Sequence, residues 1–250
     1  MKAEIYDLAD EEFAFFVNRV GEELEQREMK GIFVGGTAVQ AHVLNELCKR
    51  DNCTIEDLIL RDDIRLQDYI RATDDVDVAW KMPKHAKSNE EIASEILGVL
   101  DSLSGEYISP SENHLIKYSM IRRGIQRPKF RIEVDKKSNE EDVIAMNIGR
   151  KKKDLANLDS RFYDKFIEKG QKLKIPYCEN FNINMRVIKP EHLLSAKVAS
   201  LRAKDYMDIE NLIQVLKEGE RKINHEEVAE ILGPEYEYNF SKYIRLVNGK

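Results

Sequence analysis

An α+β fold, with a mixed β-sheet flanked by helices and then a helical C-terminal region, is what this sequence predicts. Three observations carry that reading. Short segments of period two or continuous apolar character, such as GIFV, DDVDVAW and FRIEVD, alternate with stretches of helical period through the first three quarters of the chain. Beyond about residue 188 the strand signals stop and helical spacing continues alone. The chain also has 250 residues, 42% of them hydrophobic, enough for the core of one large domain or two small ones.

Taken in order, residues 10–29 place Phe13, Phe16, Val17, Val20 and Leu24 at helical spacing and predict an amphipathic helix. GIFVGGTAVQAHVLNEL predicts a short strand at 32–34, a turn at Gly35–Gly36 and a helix from Thr37 to Cys48. The acidic, mixed stretch 51–71 reads as a loop with a short helix. In 74–80 acids alternate with valines, the mark of a strand with one polar face, and Trp80 falls in phase with Val76 and Val78 as a core residue. SNEEIASEILGVL (88–100) opens on a Ser cap and predicts a helix. Two strands are expected at 114–122 and 129–135, joined by a turn at Arg123–Gly124. Residues 150–175 are rich in Lys, Arg and Asp, with Phe162, Phe166 and Ile167 at helical spacing, and 183–190 predicts one more strand. Helices are expected at 191–203, 205–217 and 225–232, followed by a polar, Tyr-containing tail. The division is therefore an α+β domain over 1–188 and a helical domain over 189–250.

Composition removes several function classes. No apolar run approaches the roughly 18 residues of a membrane span, so no membrane partner is expected. The first twenty residues carry five acids and lack the layout of a signal peptide, which points to a cytoplasmic protein. Three cysteines (Cys48, Cys53, Cys178) do not make a disulfide framework, and five scattered histidines offer no metal or triad spacing. The net charge of −6 divides unevenly: residues 1–80 hold 19 acids and 9 bases, the remainder 27 acids and 31 bases. Within the remainder, 115–131 (LIKYSMIRRGIQRPKFR) has six bases and no acid. An acidic and a basic cluster in one chain suit a site where metal and phosphate meet, and suit solvated faces as well.

Three constellations could carry chemistry. Asp75 and Asp77, at i and i+2 on a strand, share a face. Two carboxylates about 4 Å apart repel by roughly 4 kcal/mol at an effective dielectric of 20, a cost that a hard cation such as Mg²⁺ or Mn²⁺ removes. A lone Asp-x-Asp also fits a solvated strand edge. In FRIEVD, Glu133 and Asp135 pair in the same way, and if that strand neighbours the first, several carboxylates line one patch, as a two-metal site requires. Gly35–Gly36, leading from a strand into a helix, presents backbone N–H groups and a helix N-terminus to an anion, although such a pair serves tight packing equally well.

The order Gly-Gly, Asp-x-Asp, late acidic strand resembles the DNA polymerase β-like nucleotidyltransferase superfamily. RATDDVDVAW looks like the Arg-x-Thr-x-Asp-hydrophobic-Asp stretch of the AbiEii-type toxin nucleotidyltransferases, with Arg71 and Thr73 in place. FRIEVD is similar to their Lys-hydrophobic-Glu-hydrophobic-Asn strand, with Glu133 as third ligand and Asp135 as a substitution. IKPEHLLSAKVASLRAKDYMDIENL resembles their late block, through Lys197, Arg202, Lys204, Asp205 and Asp208. Two departures stand out: 39 residues separate Gly36 from Asp75, so 51–71 reads as an insertion, and Lys204 stands where Arg is commoner. Lys keeps the charge and loses the bidentate fork.

The resemblance implies a nucleotidyltransferase-like fold and Mg²⁺- or Mn²⁺-dependent transfer of a nucleoside monophosphate from an NTP to an acceptor hydroxyl. On that reading Asp75, Asp77 and Glu133, with Asp135 beside it, hold metal. Gly35, Gly36 and Thr37 receive the triphosphate, joined by Arg71 and Thr73. Lys197, Arg202 and Lys204 oppose its charge, and Asp205 positions a base or the acceptor or else pairs with a neighbouring cation. RNA, gripped by 115–131, is the acceptor this implies, in a toxin–antitoxin setting with a cognate antitoxin protein as partner. Transfer to a small molecule such as an antibiotic, and nucleotide or RNA binding without catalysis, stand as alternatives.

Overall fold

The computed structural model of the protein describes residues 7–27, 31–73, 75–80, 130–135, 143–148 and 165–249, with single positions at 98 and 102. The expected strand at 114–122, most of the 88–100 helix, the basic stretch up to residue 129, and the side chains of Asp75, Trp80 and 130–148 lie outside the described residues. The elements are α1 (Glu11–Gln26), β1 (Gly31–Val34), α2 (Gly35–Asp51), α3 (Ile55–Leu60), α4 (Leu66–Tyr69) and β2 (Asp75–Trp80). They continue with β3 (Phe130–Asp135), β4 (Val143–Ile148), β5 (Gln171–Cys178), β6 (Phe181–Val187), α5 (Pro190–Ser200), α6 (Ala203–Glu218), α7 (His225–Leu232) and α8 (Glu237–Val247). The strands form one mixed six-stranded sheet in the order β3-β4-β2-β1-β6-β5. The architecture is α+β, as the periodicities predict.

α1 starts where Asp10 accepts a hydrogen bond from the Phe13 N–H at 2.8 Å, with Glu11 and Glu12 favourably placed in its first turn. Its stripe of Phe13, Phe16, Val17, Val20 and Leu24 is buried. α1 also completes the sheet. β1 and β6 meet in register only at Phe33 and Val187, so part of β6 has no ladder partner on that side. Asn18 of α1 accepts from the Asn184 N–H at 2.7 Å, supplying the missing acceptor. Gly21 permits that approach, since a Cβ there would lie 3.0 Å from the Asn184 carbonyl oxygen.

α2 corrects one expectation. No turn separates it from β1, because Gly35, at φ +67°, reverses the chain within a single residue and the helix begins there. Its residues Gly36 to Cys48 are all buried, between the sheet and the C-terminal helices, which is why the segment shows no amphipathic stripe. Three further corrections concern elements that were not expected. β4 was not foreseen. β5 was hidden in a Lys-rich stretch, although Leu173, Ile175 and Tyr177 alternate inward. The tail read as polar is the helix α8, which buries Tyr243 completely and packs Phe240, Ile244 and Val247 against the core. One buried apolar cluster runs from α1 through the sheet to α7 and α8, on both sides of residue 188. Among the described residues no helix is long and apolar enough to cross a membrane.

Buried polar groups inside this core make its stability pH-dependent. His42 in α2 is fully buried, with Nε2 2.8 Å from the Ile188 carbonyl oxygen, and burial pulls its pKa from 6.5 down to about 4. Burial lowers the pKa of His192 and His225 as well. Unfolding returns each imidazole to water, where it takes a proton below its ordinary pKa. The stabilisation is therefore complete above pH 6.5 and drains as the pH falls. Urea unfolding followed from pH 7.5 to 4 should show stability falling by up to about 1.4 kcal/mol per pH unit for His42 alone, and His42→Gln should flatten the curve.

Candidate functional site

The site begins where β1 hands over to α2. In the β1–β2 register Val34 lies opposite Asp77, so the Asp77 carboxylate stands beside the first residue of α2. A Cβ on Gly35 would lie 2.6 Å from Asp77 Oδ2, and one on Gly36 would lie 2.9 Å from Thr73 Oγ1 and 3.4 Å from Arg71 Nη2. The Gly-Gly pair is thus the only kind of backbone that lets α2 start flush against Arg71, Thr73 and Asp77. The residue before the helix, Val34, has no side-chain cap to offer, which leaves the acid on β2 at the positive end of the helix. Thr37, in the first turn, is fully buried.

From the other side, α5 and α6 bring a second set of charges. Arg71 donates from Nε and Nη2 to the two carboxylate oxygens of Asp208, both at 3.2 Å. Lys197, near the end of α5, donates to the same carboxylate at 2.5 Å and lies 3.4 Å from Asp205. Arg202, just before α6, donates from Nε and Nη2 to Asp205 at 2.8 and 3.1 Å, and Asp205 closes the helix start by accepting from the Arg202 N–H. Asp205 is 0% exposed and Asp208 2%, so the carboxylates are interior, while Arg71 is partly and Arg202 largely open to solvent. Asp205 therefore pairs with Arg202 and Lys197, while Lys204 points to solvent outside the cluster.

The electrostatics follow the geometry. Burial alone would push the Asp205 carboxyl up, but hydrogen bonds from Arg202 and Ser200 and the Lys197 charge overrule it and hold the pKa at about 2. Its contribution to stability is present above its ordinary pKa of 3.8 and is lost as the pH falls toward 2. The Arg202 guanidinium is held further toward its charged form, chiefly by its hydrogen bonds to Asp205, with the charges of Asp77 and Asp208 also contributing. That field links the β2 acid to the helical side of the cluster.

Two residues in this arrangement carry no motif. Ser200 donates to Asp205 Oδ2 at 2.7 Å. Gln40, fully buried in α2, donates to the Arg71 carbonyl oxygen at 2.8 Å and accepts from the Leu8 N–H at 3.1 Å, so it fixes the backbone that carries Arg71. A glutamine flanked by Val39 and Ala41 was the available signal for it.

The carboxylates expected to hold metal are distributed less simply. β3 does not neighbour β2, because β4 lies between them. Ala145 of β4 is opposite Asp75 on one side and Glu133 on the other, and Asn147 is likewise opposite Asp77 and Arg131; Asp135 is opposite Val143. At about 4.8 Å per strand, the Asp75 and Glu133 backbones are about 10 Å apart. Of the four expected ligands only Asp77 has a described side chain, and among the described residues no group of three His, Cys, Asp or Glu converges as a metal site. A separate cleft of about 710 Å³ lies between α1, β1, β5 and β6, lined by Leu24, Phe33, Leu173 and Met185 among others, away from this cluster.

No family model matches the chain, and no curated protein matches it. Among solved structures, an antigenic nucleotidyltransferase-like protein from Paracoccidioides brasiliensis is similar over 93% of this chain and 87% of that one, with 12% identity and a TM-score of 0.49.

Two substitutions test the geometry. Asp208→Ala leaves Arg71 and Lys197 without their shared counter-ion and should cost about 3–5 kcal/mol in urea unfolding. Gly35→Ala should cost at least about 1–2 kcal/mol for the left-handed backbone alone, with a further penalty from displacing Asp77.

Proposed function

We propose that this chain is a nucleotidyltransferase, moving a nucleoside monophosphate from an NTP to an acceptor hydroxyl with Mg²⁺ or Mn²⁺. The observation that carries the reading is convergence. Gly35–Gly36, Arg71–Thr73–Asp77 and Lys197–Arg202–Asp205–Asp208 meet in one cluster, although Arg71 and Asp208 are 137 residues apart in the chain. A solvated strand edge or a helix-surface ion pair would have no reason to assemble these three segments.

Charge balance fits the donor set to a divalent ion. Arg71, Lys197 and Arg202 are matched by Asp77, Asp205 and Asp208, so by itself the cluster offers little net attraction to a triphosphate. Asp75 and Asp77 would hold the ion, with Glu133 or Asp135 contributing from β3 across β4. When bound, it would add the missing positive charge and acidify the attacking hydroxyl.

The remaining roles belong to the chain itself. The N-terminus of α2, at Gly35, Gly36 and Thr37, receives the triphosphate together with Thr73. Arg71, Lys197 and Arg202 oppose the charge that builds on the departing pyrophosphate, and Lys204 extends that field toward solvent. Asp205 and Asp208 hold those cations in place. The acceptor oxygen forms its bond to the α-phosphorus as the bond to pyrophosphate breaks, and the hydroxyl proton passes to water. RNA is the acceptor class favoured by the sequence resemblance, in a toxin–antitoxin setting with an antitoxin protein as the controlling partner.

Label transfer tests this. The protein is incubated with Mg²⁺ and each α-labelled NTP, with total tRNA, an aminoglycoside panel or nothing added. Label should enter RNA, and Asp75→Ala and Asp77→Ala should lower the yield at least about 100-fold. Label on an antibiotic or on the protein would keep the chemistry and move the acceptor. NTP binding without transfer under every condition would replace the reaction with a binding role.

A further inference from the structure

From the α6–α8 surface we infer a docking site for a single-stranded nucleic acid, through which an acceptor strand reaches the cluster. Tyr238 of α8 is 70% exposed, and Lys242 Nζ lies over its ring at 4.6 Å from the centroid. The Lys242 charge is also strengthened, chiefly by hydrogen bonding to Tyr238, with Tyr206 of α6 contributing. Met207, 49% exposed, stands beside Tyr206. Tyr238, Lys242 and Arg245 follow one another at i, i+4 and i+7 along one side of α8.

This surface is joined to the cluster by the chain itself. Tyr206 follows Asp205 directly, and Asn239, the neighbour of Tyr238, donates to the carbonyl oxygens of Val198 and Ala199 at 3.0 and 3.2 Å. Those carbonyls belong to the last turn of α5, one and two residues beyond Lys197 and shortly before Arg202. The exposed ring is therefore pinned to the end of the helix that carries the buried cations.

Charge selects the occupant. Several cations of the described residues are matched to carboxylates, as at Arg19, Arg50, Arg61 and Lys197. Lys204, Lys242 and Arg245 are not: among the described residues none has a carboxylate partner. The sole carboxylate of α8, Glu237, is in its first turn, where the helix dipole holds it. Exposed aromatic faces interleaved with unmatched cations suit bases that stack and phosphates that follow, which a duplex with its bases already stacked cannot supply. The inference rests on the proposed transfer reaction for its purpose, and on the surface alone for its existence.

The test is binding of a fluorescein-labelled single-stranded RNA of mixed sequence, followed by anisotropy at several salt concentrations, with the same sequence as a duplex in parallel. Tyr238→Ala should weaken single-strand binding about 5- to 100-fold, and Tyr238→Phe, which keeps the ring, should stay within about 2-fold of the parent. Lys242→Gln should reduce the salt dependence by about one counter-ion. Because these side chains are on the surface, unchanged thermal unfolding separates lost binding from lost folding. Unaltered binding by Tyr238→Ala, an equal loss in Tyr238→Phe, or a preference for the duplex would each overturn the inference. A strand bound through Tyr238 with no label transferred to any acceptor would overturn the transfer reading alone. Label reaching an antibiotic while no strand binds would overturn the surface alone.

Discussion

The Asp208 carboxylate, 2% exposed, is the point at which two distant parts of this chain are tied together. It accepts both Nε and Nη2 of Arg71, from the segment leading into β2, and the ammonium of Lys197, from α5. A carboxylate out of water is costly unless its oxygens are fully used, and here two cations from distant parts of the sequence use them. The consequence is a fixed spacing between the sheet and the C-terminal helices. Without it Gly36 would have no reason to press against Arg71, and α6 would lose the anchor that faces α2.

The same pairing shapes the electrostatics. Lys197 is a hub between two aspartates rather than a probe extended toward solvent, and Arg202 spends its fork on Asp205. Cations held in this way are already oriented, so no reorganisation is required when charge develops near them. They are also largely neutralised, so any pull on an anion must come from the helix N-terminus, from exposed bases or from an added ion. Preorganisation and net attraction are thus supplied by different parts of the site.

Much of this was legible in the sequence because it depends on local rules. Alternation identified β2, the Gly-Gly pair marked the β1–α2 junction, and the i, i+3 spacing of Asp205 and Asp208 placed both on the face that Lys197 meets. What could not be read was non-local. The order of the sheet is decided by which strands bury one another, and nothing within FRIEVD announces that β4 will stand between it and β2. Gln40 and Ser200 matter through partners 31 and 5 residues away and belong to no recurring pattern. The start of α2 was misjudged because a left-handed glycine performs a turn in one residue instead of several. β5 is masked in the sequence because its lysines and glutamine dominate the stretch in which Leu173, Ile175 and Tyr177 alternate.

The splay between β1 and β6 gives α1 a role that a covering helix does not usually have. Asn18 occupies the Asn184 N–H, and Gly21 lies close against the neighbouring carbonyl, so α1 supplies what a seventh strand would have supplied. Removing α1 would uncover part of β6 as an edge with open donors and acceptors, adjoining the apolar side chains Phe33 and Met185 that line the cleft beneath. Such an edge recruits strands from other chains. The first helix therefore acts as a built-in guard against self-association, and a shortened chain beginning at β1 would be expected to aggregate before it simply lost stability.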